Sequence, residues 1–124
     1  MIAPNLQSLQ HKVRYALEPD NPHLLHNFAI LQITFARQSE DLRTPCLEAL
    51  FRVLLDTAAD EILPAHWRSQ CFDSLHKPLS ELWNSTGCDE HRCRVIRLCQ
   101  EMTLIGQYAA HSMNNPHLSN KLSN

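Results

Sequence analysis

Three cysteines and a histidine lie within thirteen residues of one segment, Gly87 to Cys99, which reads GCDEHRCRVIRLC. Thiolate and imidazole groups are common zinc ligands, but a structural zinc site needs four of them on one side, at paired spacings. Cys88, His91 and Cys93 are instead separated by three and two residues. On a helix, which turns about 100° per residue, His91 and Cys93 point roughly 160° apart. We therefore expect neither a metal site nor a cofactor here.

One residue of this segment remains a candidate for a chemical role, namely its first cysteine. Cys88 stands beside the predicted start of a helix, where the positive end of the helix dipole favours the thiolate. We interpret Cys88 as a candidate reactive thiol. A metal- or thiol-dependent sensor or enzyme that uses Cys88, His91 and Cys93 is the alternative function that the sequence leaves open.

The other histidines do not complete a catalytic mechanism. His23 and His26 stand one helical turn apart, and so do Asp73 and His76. Paired carboxylate and imidazole groups can act as an orienting group and a base. The nucleophile, oxyanion donors or further metal ligands that a reaction requires are not identifiable beside them. We therefore predict that the protein is not an enzyme.

The charge distribution argues against nucleic acid as a partner. The 124 residues carry a net charge of −2, and the eleven Lys and Arg residues are spread along the chain without a basic run. Nucleic-acid binding normally shows as a basic patch or stripe. A helix-turn-helix could be drawn from the third predicted helix into the segment after Pro64, with Arg68 facing phosphate, but its turn lacks the usual glycine. We predict no nucleic-acid partner.

The composition is that of a folded domain, with 44% apolar and 19% charged residues. No segment approaches the roughly 18 uninterrupted apolar residues that span a membrane, and the N-terminal residues do not resemble a signal peptide. The five cysteines are an odd number and lie mostly in helical patterns. We expect a cytoplasmic protein with reduced thiols and no membrane partner.

Apolar residues recur at spacings of three and four between prolines, and the chain has only two glycines. This pattern is typical of helices. The sequence predicts an all-α fold, a single-domain bundle of about five helices over residues 1–113, followed by a flexible polar tail at residues 114–124. Pro78 has no amide hydrogen and is expected to kink or break the fourth helix.

Local signals predict where several helices begin. Asn21 caps the second helix and Pro22 fits its first position. Thr44 and Pro45 are expected to start the third helix in the same way, with a capping side chain followed by proline. We expect this helix to reach about Leu63. Asp89 is predicted to cap the fifth. The seams expected to face the core are Leu6, Leu9, Val13 and Leu17 in the first helix, Leu24, Phe28, Leu31 and Phe35 in the second, and Leu47, Leu50, Phe51, Leu54, Leu55, Ala58 and Ile62 in the third.

The fifth helix has two apolar stripes. One consists of Val95, Leu98, Met102, Ile105, Ala109 and Ser112, at spacings of three and four that favour packing in a bundle. The other, which we call the small-residue stripe, consists of Ile96, Cys99, Thr103, Gly106 and Ala110. Its small side chains would let another helix approach closely. We expect this helix to be long and central.

The polar face of the same helix carries the candidate partner-binding residues. Arg97 is followed by Leu104 and Tyr108, with His111 one turn further on. Exposed apolar residues at helical spacing can mark an interface. We therefore expect a small regulatory protein that forms a homodimer and binds another protein through an apolar helical surface, inhibiting or holding it. An anti-activator, a secretion chaperone and an immunity-type inhibitor all fit this description.

Overall fold

The computed structural model describes residues 4–85 and 88–114, and the side chains of residues 5–85 and 88–108. All regular secondary structure in these ranges is helical, as predicted. The segments are α1 (Pro4–Arg14), α2 (Pro22–Arg37), α3 (Glu40–Ala59), α4 (Ala65–Asp73), α5 (His76–Asn84) and α6 (Asp89–Asn114). Because α4 and α5 continue one another through a bend of 16°, the bundle has five helices. Residues 115–124 of the predicted tail lie outside the described residues.

The bend between α4 and α5 follows from the chemistry of Pro78, which is fully buried in the first turn of α5. Proline cannot donate a hydrogen bond to the carbonyl four residues earlier, which here belongs to Ser74. The Ser74 carbonyl accepts instead from the Lys77 N–H at 3.1 Å, and regular helical bonding resumes with Leu79. The predicted interruption of the fourth helix near Pro78 is confirmed.

Helix α3 is the centre of the bundle and contacts every other helix. Its predicted seam is buried from Leu47 to Ala58. The remaining core side chains come from all the other helices and include Val13, Phe28, Trp67, Leu75, Leu82 and Val95. The core is therefore continuous and is organised around α3.

The predicted bounds of the third helix are wrong at both ends. It begins at Glu40, after an extended Ser39, and its first turn carries Glu40 and Asp41, whose charges favour the positive end of a helix. Pro45 lies inside the helix, where it deprives only the Asp41 carbonyl of a bond, and Asp41 is exposed to water. Because the helix ends at Ala59, Ile62 is 92% exposed instead of buried.

The first helix also ends earlier than its apolar pattern indicates. Ala16 adopts a left-handed conformation with φ of 52°. The Leu17 N–H donates to the Lys12 carbonyl at 3.0 Å and the Ala16 N–H donates to the Val13 carbonyl at 3.2 Å, which is the Schellman arrangement. The reversal turns Leu17 outward, so that it is 54% exposed, and buries Ala16 in its place.

Helix α2 begins as predicted, because the Asn21 side chain accepts a hydrogen bond from the His23 N–H at 3.2 Å. Its buried face is rotated from the predicted seam. Leu31 is 42% exposed, whereas Gln32 is 1% exposed and donates through Nε2 to the Cys46 carbonyl at 3.1 Å. A partner on α3 therefore makes a polar residue part of the core.

Helix α6 has 26 residues, so at 1.5 Å per residue it is about 39 Å long. It contacts α3 and α5. Among the described residues, no helix combines the length and apolar character needed to cross a membrane.

Candidate partner-binding surface

One side of α6 faces the core as predicted. Val95 is 3% exposed, and Leu98, Met102 and Ile105 pack against the core while partly exposed. The side chains of the other two predicted members, residues 109 and 112, lie outside those described. Because one side of α6 faces the core, the opposite side faces solvent over the part of the helix whose side chains are described.

The small-residue stripe divides between core and solvent. A Cβ added to Gly106 would lie 2.6 Å from Cζ of Phe72, so the Phe72 ring of α4 rests directly on this glycine. Cys99 also packs against the core, whereas Ile96 is 48% exposed and Thr103 is exposed. The expected close approach therefore occurs at Gly106, whereas Ile96 and Thr103, on the other edge of the stripe, are exposed to solvent.

The predicted partner-binding residues lie together on the outward side of α6. Arg97 is exposed, Leu104 is 66% exposed and Tyr108 is 54% exposed. Their positions fall within about 40° of rotation around the helix, at 100° per residue. His111 belongs to α6, but its side chain lies outside those described.

The Tyr108 ring is held at the surface by its hydroxyl, which donates to the Glu61 carboxylate in the connection between α3 and α4. This hydrogen bond, together with the negative charge of Glu61, raises the pKa of Tyr108. Sequence reasoning did not identify Glu61, because the two residues are 47 positions apart. The ring therefore stays exposed in a fixed position.

Two ion pairs attach α6 to α3. Arg52 donates through both terminal nitrogens to the Glu101 carboxylate, at 2.9 Å each, and this pairing lowers the pKa of Glu101. Arg94 donates to the Glu48 carboxylate at 2.5 Å. Arg97, which lies beside these groups, forms no ion pair with any described residue. Its charge is available to a partner.

Beside Leu104, a shallow depression runs along α6. Its lining residues are Ile96, Cys99, Gln100, Thr103, Leu104 and Gln107, all from this helix. A depression formed by a single helix is the gap between neighbouring side chains into which a residue of a facing helix can insert. The sequence analysis did not include Gln100 and Gln107 because they are polar, although their spacings of three and four residues from Ile96 and Leu104 place them on the same side of the helix.

The candidate thiol and its neighbours are not gathered into one site. The Cys88 carbonyl accepts from the Arg92 N–H at 3.1 Å, so Cys88 takes the capping position predicted for Asp89. The side chains of Cys88 and Cys93 are exposed, and His91 is half-buried. Over residues 4–85 and 88–108, no three His, Cys, Asp or Glu side chains lie close enough to share a metal ion.

His76 bonds to the backbone of Asp73 instead of pairing with its side chain. His76 Nδ1 donates to the backbone carbonyl of Asp73 at 2.7 Å and not to its carboxylate. The ring thereby satisfies a carbonyl at the end of α4. His23 and His26 are exposed on α2.

Arg68 does not present its charge to the surface. It is 4% exposed, and its Nε donates to the Ala58 carbonyl at 3.0 Å. Because Ala58 lies in the last turn of α3, the guanidinium satisfies a carbonyl at the negative end of that helix. Arg68 therefore supports the junction of α3 and α4.

Comparison of the chain with protein-family models, with curated proteins and with solved structures finds no match in any of the three.

Proposed function

We propose that this protein is a small cytoplasmic regulator that binds another protein through the outward surface of α6 and thereby inhibits or holds it. The observation that carries the proposal is the exposure of Ile96, Leu104 and Tyr108 on a helix whose opposite side packs against the core. Large apolar side chains in water favour association, because burying one stabilises a complex by about 1.5–3 kcal/mol.

The chemistry of the surface supports protein binding. Tyrosine and arginine are enriched among the residues that contribute most to interfaces. Tyr108 is already positioned by Glu61, so its ring loses little conformational freedom when a partner covers it. Arg97, which forms no ion pair with the described residues, supplies a positive charge at the edge of the apolar residues. Such a surface suits a helix or groove of a partner that carries a carboxylate opposite Arg97.

An anti-activator, a secretion chaperone and an immunity-type inhibitor would each use such a surface, and in the absence of its client the protein would form a homodimer. The cytoplasm is proposed because all five cysteines are thiols in the structure. Reduced cysteines are typical of a reducing compartment.

The test is affinity capture from the native cell, with identification of the captured protein by mass spectrometry. Substituting both Leu104 and Tyr108 with Asp should abolish capture while circular dichroism shows unchanged helical content. Leu17→Asp is the matched control, because Leu17 is exposed to a similar degree but lies beyond the end of α1. If the double variant captures the same protein in the same yield, α6 is not the binding surface.

The alternative, a metal- or thiol-dependent sensor or enzyme, is favoured by one observation: the side chains of Cys88, which precedes α6, and Cys93, in its second turn, are both exposed. Metal analysis and thiol titration of the purified protein distinguish the two functions. Stoichiometric zinc that is lost in Cys88→Ser or Cys93→Ser would favour the sensor over the binding protein.

A further inference from the structure

Six exposed positions form a band along α6, within about 40° of rotation on either side of Gln100, which we call the outer stripe. They are Asp89, Cys93, Ile96, Gln100, Leu104 and Gln107, and each is exposed. The first and fourth, second and fifth, and third and sixth of them are eleven residues apart. An eleven-residue repeat corresponds to about 3.67 residues per turn, close to the 3.6 of a straight helix. Two such helices can therefore pack along their whole length with little supercoiling.

From Cys93 to Gln107, the outer stripe is symmetric about Gln100. Ile96 and Leu104 stand four residues on either side of it, and Cys93 and Gln107 stand seven residues on either side. When the stripe is reversed end to end, an apolar residue falls opposite an apolar residue and a small polar one opposite an amide. A second copy in antiparallel orientation, with a two-fold axis at Gln100, would place each Ile96 against the other copy's Leu104. This is the self-complementarity that a two-fold interface requires.

The charges beside the stripe favour the same arrangement. Arg97 and Glu101 lie on one flank, at about 60° and 100° from Gln100 around the helix. An antiparallel two-fold pair brings equal flanks together, so Arg97 of one copy lies about 3 Å along the axis from Glu101 of the other, twice. The Glu101 side chain is 42% exposed beside Arg52 and can accept a second cation. Arg97 forms no ion pair within the described part of the chain.

We propose that the outer stripe is the interface between two copies of this chain, paired antiparallel about a two-fold axis at Gln100. The inference rests on the proposed function in one respect: the pairing covers Leu104, so the dimer is a state in which the client surface is closed and a client must displace the second copy. The depression beside Leu104 receives side chains of the second copy, as in knobs-into-holes packing.

Disulfide cross-linking tests the register. Helix axes about 8–10 Å apart, with Cα atoms about 2.3 Å from each axis, leave facing Cα atoms roughly 3.4–5.4 Å apart, and a disulfide bridges the upper part of this range. In a Cys88→Ser, Cys93→Ser background, Gln100→Cys should cross-link to itself on mild oxidation. Ser80→Cys in the same background is the control, because Ser80 is exposed on α5 and should cross-link only by random collision.

A second pair distinguishes antiparallel from parallel packing. With Cys93 retained and Cys88 replaced by Ser, Gln107→Cys should cross-link to Cys93 of the other copy, and adding Cys93→Ser should abolish the product. In the unmodified protein the two Cys93 residues are about 21 Å apart along the axis, so they form no disulfide with each other. A Gln107→Cys product that survives Cys93→Ser would overturn the proposal in favour of a parallel pair.

Sedimentation of the unmodified protein gives the dimer affinity directly. Leu104→Asp places two charges in the interface and should weaken dimerisation about 100-fold or more. A protein that stays monomeric at high concentration, or a Gln100→Cys yield no greater than that of Ser80→Cys, would refute the dimer. These measurements use purified protein without a client, so their failure leaves the capture experiment standing, and failure of capture leaves the dimer standing.

Discussion

Replacing Trp67 by Phe tests what attaches α1 to the bundle. The Trp67 side chain is completely buried, and its Nε1 donates to the Val13 carbonyl at 2.9 Å, near the C-terminal end of α1. Phenylalanine keeps an aromatic ring at this position but removes the donor and part of the ring volume. Trp83→Phe is the control, because Trp83 is 45% exposed and is contacted by the Arg92 guanidinium at 5.4 Å from the ring centre.

The expected loss of stability for Trp67→Phe has two contributions. A hydrogen bond of this kind contributes about 1 kcal/mol. The Val13 carbonyl also accepts from the Ala16 N–H at 3.2 Å, so it is not left without a partner and the larger penalty for a buried unpaired group does not apply. The void left by the smaller ring costs about 1–2 kcal/mol more. We expect about 2–3 kcal/mol in total, against less than about 0.5 kcal/mol for Trp83→Phe.

The assay is urea unfolding followed by circular dichroism at the helical band, which avoids a fluorescence signal that each substitution would itself change. With a slope of about 1–3 kcal/mol per M, the midpoint should fall by roughly 0.7–3 M for Trp67→Phe and change much less for Trp83→Phe. If both midpoints shift equally, neither the burial of Trp67 nor its hydrogen bond holds α1 in place.

Three further outcomes follow from the structure. Iodoacetamide should modify Cys88 in the folded protein and Cys71 only after unfolding, as peptide mapping would show, because Cys88 is exposed and Cys71 is buried. Burial also raises the pKa of the Cys71 thiol from 9.0 to about 12, so the unfolded chain loses this proton first. The free energy of unfolding should therefore fall above pH 9 by up to about 1.4 kcal/mol per pH unit. Urea titrations at about pH 9 and 10 would measure this slope, and the Cys71→Ala variant should lack it. Gly106→Leu should destabilise the protein by about 1–3 kcal/mol in the same assay, because its side chain meets the Phe72 ring; an unchanged midpoint would contradict that contact.

The parts of the fold that depend on neighbouring residues were predictable from the sequence. Asn21 caps its helix through the next turn, and Pro78 interrupts bonding to the carbonyl four residues earlier. The outward position of Arg97, Leu104 and Tyr108 followed from helical periodicity alone. Each of these outcomes is decided within about one turn of helix.

Features decided by distant partners were not predictable. Gln32 is buried because its amide reaches the Cys46 carbonyl on another helix. The Glu61 carboxylate reaches Tyr108 across the bundle in the same way. The role of Gln100 was missed for another reason: hydrophobic patterning ignores amides, and only the symmetry of the exposed positions around it indicates an interface.

The central position of α3 has a consequence for synthesis of the chain. Two of the helices it contacts precede it and three follow it. A nascent chain that has emerged only as far as residue 59 can cover one side of α3, while the apolar residues destined for α4, α5 and α6 still face water. The core closes only after these later helices have left the ribosome, and α6 is the last of the described helices to take its place.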